Sequence, residues 1–199
     1  MFSYEQCIFL QIAIESVQLN NMTTTLSTSS SNFLTHENLA YGIKVLYPSN
    51  WLENVDNYSS NDPYVVVATF FSPLESSTDR YQECVQLVID KSPSLASDLE
   101  QYMLENIILT RESYAGFRLL GSNSINVRLA DNPAYDTLYV YSDPRFGIIK
   151  VKETGTIIEG KGYYIQYFAE PEKYPVYLPT IQTMFDSFAL VKRAKDDEQ

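Results

Sequence analysis

The chain has 199 residues, of which 45% are hydrophobic and 14% aromatic, and this is enough apolar surface for one folded core. Its 25 acidic and 14 basic residues give a formal net charge of -11, which repels nucleic-acid phosphates and anionic membrane surfaces. No stretch approaches the ~20 apolar residues that span a bilayer. The sequence therefore argues against nucleic acid as a partner and against direct membrane insertion of the folded domain.

Residues 1–32 are predicted to be an N-terminal tail followed by a linker. Residues 7–14 are apolar like the core of an export signal, but they lack a preceding basic residue and a small-residue cleavage site, so both a signal remnant and an ordinary N-terminal segment stay open. Residues 23–31 are rich in Ser and Thr and have almost nothing to bury. Such a linker favours an extracytoplasmic or cell-surface location, with a cytoplasmic one as the alternative.

Cysteine and histidine are too scarce for a zinc site. The two cysteines are Cys7, in the tail, and Cys84, at the start of a predicted strand, and a disulfide between them is not expected. His36 is the only histidine, so a closed Cys/His site with four ligands cannot be built. Any bound metal is expected to be a hard cation held by oxygen atoms.

The predicted domain, residues 33–190, begins with two strands over 33–37 and 41–47, because apolar residues alternate along the second of them. A short helical turn at 49–52 is expected to place Trp51 against the sheet edge. The next strand, 65–71, is apolar on both faces and is expected to lie centrally in the sheet, with a further strand at 84–90 beside it.

The first helix has a clear start signal, since Ser97 and Glu100 form a capping box in which each side chain satisfies a backbone donor. Leu99, Met103, Ile107 and Thr110 then follow at helical spacing and form its buried stripe. This pattern predicts a helix that packs on the sheet.

The second half is predicted to be a meander that ends in a second helix. Strand-like runs occur at 117–120, 125–129, 135–141, 148–158 and 162–169, and residues 159–162 are predicted to form a type II′ turn. The closing helix carries an apolar stripe, and its two prolines are expected at its start. The stripe consists of Tyr177, Ile181, Met184, Phe185 and Phe188. A charged tail follows at 191–199. The fold class is therefore α+β, a twisted antiparallel sheet with two main helices.

This order of elements resembles the PsbP-like family, whose best-known members are the PsbP extrinsic proteins of photosystem II. The resemblance covers residues 33–190 and rests on short motifs at turns and strand ends. These are Tyr41-Gly42-Ile43 leading into Tyr47-Pro48-Ser49-Asn50-Trp51, Phe71-Ser72-Pro73, Pro133-Ala134-Tyr135 and Ser187-Phe188. It implies an α/β/α sandwich, the fold also used by a Ran-binding nuclear-import factor and by bacterial envelope lipoproteins.

The function that the resemblance implies transfers less well than the fold. PsbP proteins assist calcium and chloride retention at the oxygen-evolving centre, and much of that work is attributed to an N-terminal segment that has no match in this chain. The shared motifs form turns and core, so they support a fold and not an activity.

A few polar residues are candidates for a site. Asp131 and Asp136 flank a turn and Asp143 lies at the next loop, so the three are predicted to converge on calcium or another divalent cation, with turn formation as the alternative. His36 is expected at the surface or at a strand end, with a metal ligand or proton carrier as the alternative. Glu153 lies mid-strand, where partial burial is expected to raise its pKa; the alternatives are an outward-facing residue or a partner for Lys150 or Lys152.

No catalytic motif is present. The chain has no Gly-x-Ser-x-Gly elbow and no Gly-rich phosphate loop, and with only one histidine to act as a base, Ser-His-acid catalysis is not expected. The prediction is a non-enzymatic binding or accessory domain that docks onto a protein partner, in a membrane-associated complex, with a weakly bound divalent cation. The alternatives are an enzyme of unfamiliar type that uses carboxylates such as Asp136 or Glu153, and a cytoplasmic regulatory module that binds a protein.

Overall fold

The structure, a computed structural model, describes residues 32–55, 63–93 and 98–191. The predictions for the signal-like segment, the Ser/Thr-rich linker, Cys7, Ser97 and the charged tail after residue 191 lie outside the described residues. Among the helices that are described, none combines the length and the apolar character that a membrane span requires.

The described part of the chain contains twelve strands and two helices. In chain order they are β1 (Phe33–Asn38), β2 (Ile43–Pro48), β3 (Leu52–Asn54), β4 (Tyr64–Phe71), β5 (Cys84–Asp90), α1 (Leu99–Ser113), β6 (Arg118–Asn123), β7 (Arg128–Leu129), β8 (Asn132–Pro133), β9 (Tyr135–Asp143), β10 (Gly147–Ile158), β11 (Lys161–Ala169), α2 (Tyr174–Ser187) and β12 (Ala189–Leu190).

The main sheet has seven strands in the order β3-β4-β5-β11-β10-β9-β6, and all of its pairings are antiparallel. A small sheet, β1-β2-β12, and the pair β7-β8 complete the described strands. The α+β class with an antiparallel sheet and two helices is therefore confirmed. Strand β4 is buried on both faces as predicted, but it lies beside the short edge strand β3 and not at the centre of the sheet.

The two helices pack against opposite faces of the central strands. Along β11, Ile165 and Tyr167 belong to the apolar cluster that includes the core residues of α2, whereas Tyr164 belongs to the cluster that includes the core residues of α1. Successive side chains of a strand point to opposite faces, so both faces of β11 are covered by protein. This explains why β11 is apolar on both faces, as the sequence predicted.

Helix α1 begins one residue later than the capping box implied. Its N-cap is Asp98, whose Oδ1 accepts a hydrogen bond from the backbone N of Gln101 at 2.9 Å. In the predicted stripe Met103 and Thr110 are buried, while the remaining two residues are partly buried. Tyr102 and Asn106 are also buried, and the stripe omitted them because Asn is polar and Tyr102 lies at its margin.

Three local predictions were wrong. Residues 49–50 form a turn that leads into strand β3 and not into a helical turn, although Trp51 is buried and its ring lies edge-on to Tyr177 at 5.8 Å. Only Arg128–Leu129 of the predicted strand 125–129 is extended, and Ile125 is 76% exposed. Pro179 lies inside α2 and not at its start.

Cys84 is disulfide-bonded, which corrects the expectation that the chain forms no disulfide. Cys84 is the first residue of β5 and is fully buried. The chain has one other cysteine, Cys7, which lies outside the described residues.

The β10–β11 hairpin has a turn one residue earlier than predicted. Ile158 pairs with Lys161, so the two central residues are Glu159 and Gly160, and both have positive φ angles, 50° and 73°. Positive φ at both central positions is the geometry of a type I′ turn, which favours Asn-Gly. The type II′ assignment was therefore wrong.

Replacing Glu159 by Asn is expected to raise the free energy of unfolding by about 0.5 kcal/mol, because Asn adopts the left-handed conformation at a lower cost than Glu. Urea unfolding followed by circular dichroism measures the change. Glu159→Ala is the control, since it also removes the charge but keeps the unfavourable backbone geometry. Equal stabilisation by both variants would mean that charge, and not the turn conformation, is responsible.

Candidate functional site

An open groove runs along one side of α2. It consists of two adjoining cavities of about 430 and 340 Å³, both of which are lined by Asp136 and Lys152. The smaller cavity reaches Tyr174 at the start of α2, and the larger one reaches Ser187, the last residue of α2, and Leu190 beyond it. The volumes lie in the range of ligand sites in proteins, about 300–1,000 Å³.

The centre of the groove is a fixed polar cluster on neighbouring strands. Lys152 on β10 pairs with Asp136 on β9 through Nζ and Oδ2, 3.2 Å apart, and Thr154 donates a hydrogen bond to the other carboxylate oxygen. The Lys152 ammonium also lies 5.5 Å from the ring centre of Phe185 on α2. These contacts hold the floor of the groove in one arrangement and neutralise the two central charges.

Two further carboxylates lie in the larger cavity. Asp131 is in the turn between β7 and β8 at a positive φ of 63°, and Asp186 is in the last turn of α2. Arg128 donates a hydrogen bond to the backbone oxygen of Asp131 at 2.8 Å, and Gln182 donates one to Asp186 at 2.8 Å. Neither aspartate forms an ion pair within the described part of the chain, and with Arg128 as the one further charged side chain here, this end of the groove is net acidic.

The structure brings together two of the three aspartates that the sequence singled out. Asp131 and Asp136 line the same cavity, whereas Asp143 is at the far end of β9, seven residues from Asp136 or about 23 Å in an extended strand. Asp143 accepts hydrogen bonds from the backbone N of Arg145 and Phe146, at 2.8 and 3.0 Å, and thereby forms the β9–β10 turn.

The aspartates are not assembled as a metal centre in the structure. Within residues 32–55, 63–93 and 98–191, no group of three His, Cys, Asp or Glu side chains is arranged to hold a metal ion. Cation binding by Asp131, Asp136 and Asp143 stays a prediction, and the geometry permits only the first two to act on one ion.

A row of polar residues crosses the main sheet under α1. Each of the seven strands contributes one residue, and each residue is directly paired with the next one across the sheet. From β3 to β6 the row is Asn54, Thr69, Gln86, Gln166, Glu153, Thr137 and Ser122. The five inner members are at most 4% exposed. We call this set the polar row.

The polar row separates two apolar clusters on the same face of the sheet. On one side of the row, two residues along β5 and β11, lie Val88 and Tyr164, which pack with α1. On the other side, two residues along β5, β11 and β10, lie Cys84, Phe168 and Val151, which belong to the second cluster. The polar row therefore lies within the core and not at its margin.

Glu153 is the only carboxylate of the polar row. Its Oε1 accepts a hydrogen bond from the hydroxyl of Tyr135 at 2.9 Å, and its Oε2 accepts one from Nε2 of Gln166 at 2.6 Å. Burial raises the pKa of Glu153, and the two hydrogen bonds oppose part of this rise. The alternative of a pair with Lys150 or Lys152 was wrong, because both lysines contact α2 residues on the opposite face.

A chain of hydrogen bonds extends from Glu153 to a second buried carboxylate, Asp90. Asn106 of α1 donates to the hydroxyls of Tyr135 and Tyr164, at 3.3 and 3.1 Å, and the Tyr164 hydroxyl contacts that of Tyr102. Tyr102 donates to Asp90 at 2.9 Å. All of these groups are buried between α1 and the sheet, so they are hydrogen-bonded to one another and shielded from solvent.

His36 is buried and not at the surface, which corrects the sequence-based expectation. Its Nδ1 lies 2.5 Å from Oε1 of Glu53, and Tyr47 donates a hydrogen bond to the other oxygen of Glu53 at 2.7 Å. These contacts join β1 and β2 of the small sheet to β3 of the main sheet. The observed role is therefore to connect the two sheets.

Glu83 is a further buried carboxyl group, and the sequence did not single it out. It immediately precedes β5 and is 1% exposed, and its Oε2 accepts a hydrogen bond from the hydroxyl of Ser72 at 3.2 Å. Burial raises the pKa of Glu83 to about 7, and the nearby charges of Asp79 and Glu170 add to the rise. Its Oε1 has no hydrogen-bond partner among the described residues.

Solved structures of three proteins share the fold. The solution structure of cyanobacterial PsbP from Synechocystis sp. PCC 6803 has a TM-score of 0.55 at 14% identity, over 85% of this chain and 98% of that one. The Saccharomyces cerevisiae Ran-binding protein Mog1p has a TM-score of 0.53 at 11% identity, over 82% and 97%. LpqN, involved in cell envelope biogenesis of Mycobacterium tuberculosis, has a TM-score of 0.52 at 12% identity, over 90% and 96%.

The sequence itself matches no family model and no curated protein. The structural likeness shows that the chain has the PsbP-like fold, as the sequence motifs suggested.

Proposed function

We propose that this domain is a non-enzymatic accessory module that binds a protein partner in the groove beside α2. The observation that carries the proposal is the open groove itself, which has a fixed polar centre at Asp136 and Lys152 and acidic side chains at its wider end. The buried carboxyl groups Glu83, Asp90 and Glu153 are, in contrast, enclosed by the core, so they are poorly placed for chemistry on a substrate.

The fold neighbours support protein binding as the class of function. The Saccharomyces protein is a Ran-binding protein, so this fold serves to bind a protein in that case. The neighbours share at most 14% identity with this chain, so their own partners are not assigned to it.

We also propose that the domain works outside the cytoplasm, in a membrane-associated complex. The disulfide at Cys84 supports this location, because disulfides persist in oxidising compartments. The cytoplasmic alternative requires a reduced Cys84. Alkylation of the protein after denaturation and before reduction, followed by mass spectrometry, separates the two: a Cys84 that is alkylated without reductant would favour the cytoplasm.

A weakly bound divalent cation is a further part of the proposal, with Asp131 and Asp136 as its carboxylate ligands. Isothermal titration calorimetry of the wild-type protein with calcium is expected to show a heat of binding, and the variant Asp131→Asn is expected to show none. A titration without any heat of binding would remove the cation from the proposed function and leave the protein partner.

Site-specific photocrosslinking tests the groove as the binding site. A photoreactive amino acid at Gln182, which lines the groove on α2, is expected to give one discrete adduct with the partner in cells that express the full chain. The same amino acid at Glu112, an exposed position of α1, is the control and is expected to give none. Adducts of equal yield at both positions, or at neither, would contradict binding in the groove.

A further inference from the structure

The groove has the dimensions of an extended peptide. It extends from Tyr174, the first residue of α2, to Leu190, three residues beyond the last. A helix of 14 residues is about 21 Å long at 1.5 Å per residue. About six residues of an extended chain, at 3.3 Å each, cover the same length.

The wide end of the groove has a small net negative charge. The ammonium of Lys152 is paired with Asp136, so the side chains that remain are the carboxylates of Asp131 and Asp186 and the guanidinium of Arg128, which donates a hydrogen bond to the backbone oxygen of Asp131 and keeps its charge. The carboxylates of Asp131 and Asp186 have no ion-pair partner among the described residues, and the whole chain has a formal net charge of -11. A cationic side chain is therefore favoured at this end, and an acidic or phosphorylated ligand is disfavoured.

The same end of the groove has a strand edge. Strand β12 pairs with β2 on one side only and forms an edge of the small sheet, and both of its residues, Ala189 and Leu190, line the larger cavity. An edge strand presents backbone N–H and C=O groups that an extended peptide pairs with when it adds as a further strand.

From these three observations we propose that the groove binds an extended segment of the partner, about six residues long, which pairs with the edge of β12 and places a Lys or Arg side chain between Asp131 and Asp186. This inference rests on the proposed function, and it adds the conformation and the charge of the segment that is bound.

A phage-displayed library of random octapeptides, selected against the full chain, tests the inference. Selected peptides are expected to carry a Lys or Arg residue at one common position. Their affinity, measured by fluorescence polarisation, is expected to fall at least tenfold for the Asp131→Asn/Asp186→Asn variant and to fall as NaCl is raised from 50 to 500 mM. The control variant Glu37→Gln/Glu112→Gln removes the same charge at exposed positions outside the groove and is expected to bind as the wild type does.

Selected peptides that lack a common basic residue, or that bind both double variants equally, would overturn the inference. Both aspartates are exposed, and circular dichroism of each variant shows whether the fold is retained. If no peptide is selected while the Gln182 adduct forms, the extended basic segment is wrong and the binding function stands. If the adduct is also missing, both proposals fail.

Discussion

Replacement of Glu153 by Ala is expected to lower the free energy of unfolding by about 3 to 5 kcal/mol. The change removes the acceptor of two buried hydrogen bonds, which the hydroxyl of Tyr135 and Nε2 of Gln166 donate, and the loss of a buried acceptor costs about 1–3 kcal/mol for each donor. The cavity left by the side chain adds to the loss. Because small domains are stable by only about 5–15 kcal/mol, this one substitution removes a large share of the total. Urea unfolding followed by Tyr and Trp fluorescence measures it.

Glu153→Gln is the matched variant that separates hydrogen bonding from charge. Its Oε1 still accepts from Tyr135, and a flipped Gln166 amide offers its own Oε1 to the new Nε2. Stability within about 1 kcal/mol of the wild type is expected at neutral pH. If Gln were as destabilising as Ala, the negative charge of Glu153, and not its hydrogen bonds, would be what the core requires.

The stability of the domain is expected to fall as the pH rises from 5 to 8, and Glu83 is the main cause. Its pKa is about 7 in the folded state against 4.5 for the ordinary value, so the folded state binds more protons than the unfolded state between these two values. The stabilisation is fully present below pH 4.5 and is lost as the pH rises through 7. The loss is on the order of 2 to 3 kcal/mol, since one pKa unit corresponds to about 1.4 kcal/mol.

The variant Glu83→Gln is expected to remove most of this pH dependence and to be more stable than the wild type at pH 8. Urea unfolding at several pH values measures the free energy of both proteins. Part of the slope should persist, because burial raises the pKa of Glu153 and Asp90 in the same direction. Glu112→Gln, an exposed change on α1, is expected to leave the slope unaltered. An unchanged slope in the Glu83 variant would contradict the assignment.

Most of the fold could be predicted from the sequence because its signals are local. Apolar residues alternate along strand β2 and are the buried ones in the structure, and β4 and β11 carry apolar residues on both faces, interrupted by Thr69 and Gln166. The start of α1 was predicted to within one residue for the same reason, since its cap involves residues three positions apart. Turn type was less accurate, because one residue of shift at Glu159 changes which turn is formed.

The site was harder to predict because it depends on residues that are distant in the chain. Asp131 and Asp136 flank one turn and were expected to lie together, but no spacing in the sequence indicates that Asp186, from the closing helix, lines the same cavity. The polar row is visible in the sequence, because several otherwise apolar strands each contain one polar residue near the middle. Gln86 and Gln166 are examples, but the pairing of their strands is fixed only by the folded sheet.

The polar row has a consequence for how the chain avoids misfolding. A strand that slides by two residues keeps the same side chains on the same faces, so its apolar pattern does not distinguish the slipped pairing from the correct one. In this sheet such slippage would place Gln166 or Gln86 against the apolar neighbours of the row and would leave Glu153 without donors. Mispaired sheets would therefore bury unsatisfied amides and a carboxylate, which is unfavourable. The polar row thus favours one register of the strands, although its residues contribute little apolar packing.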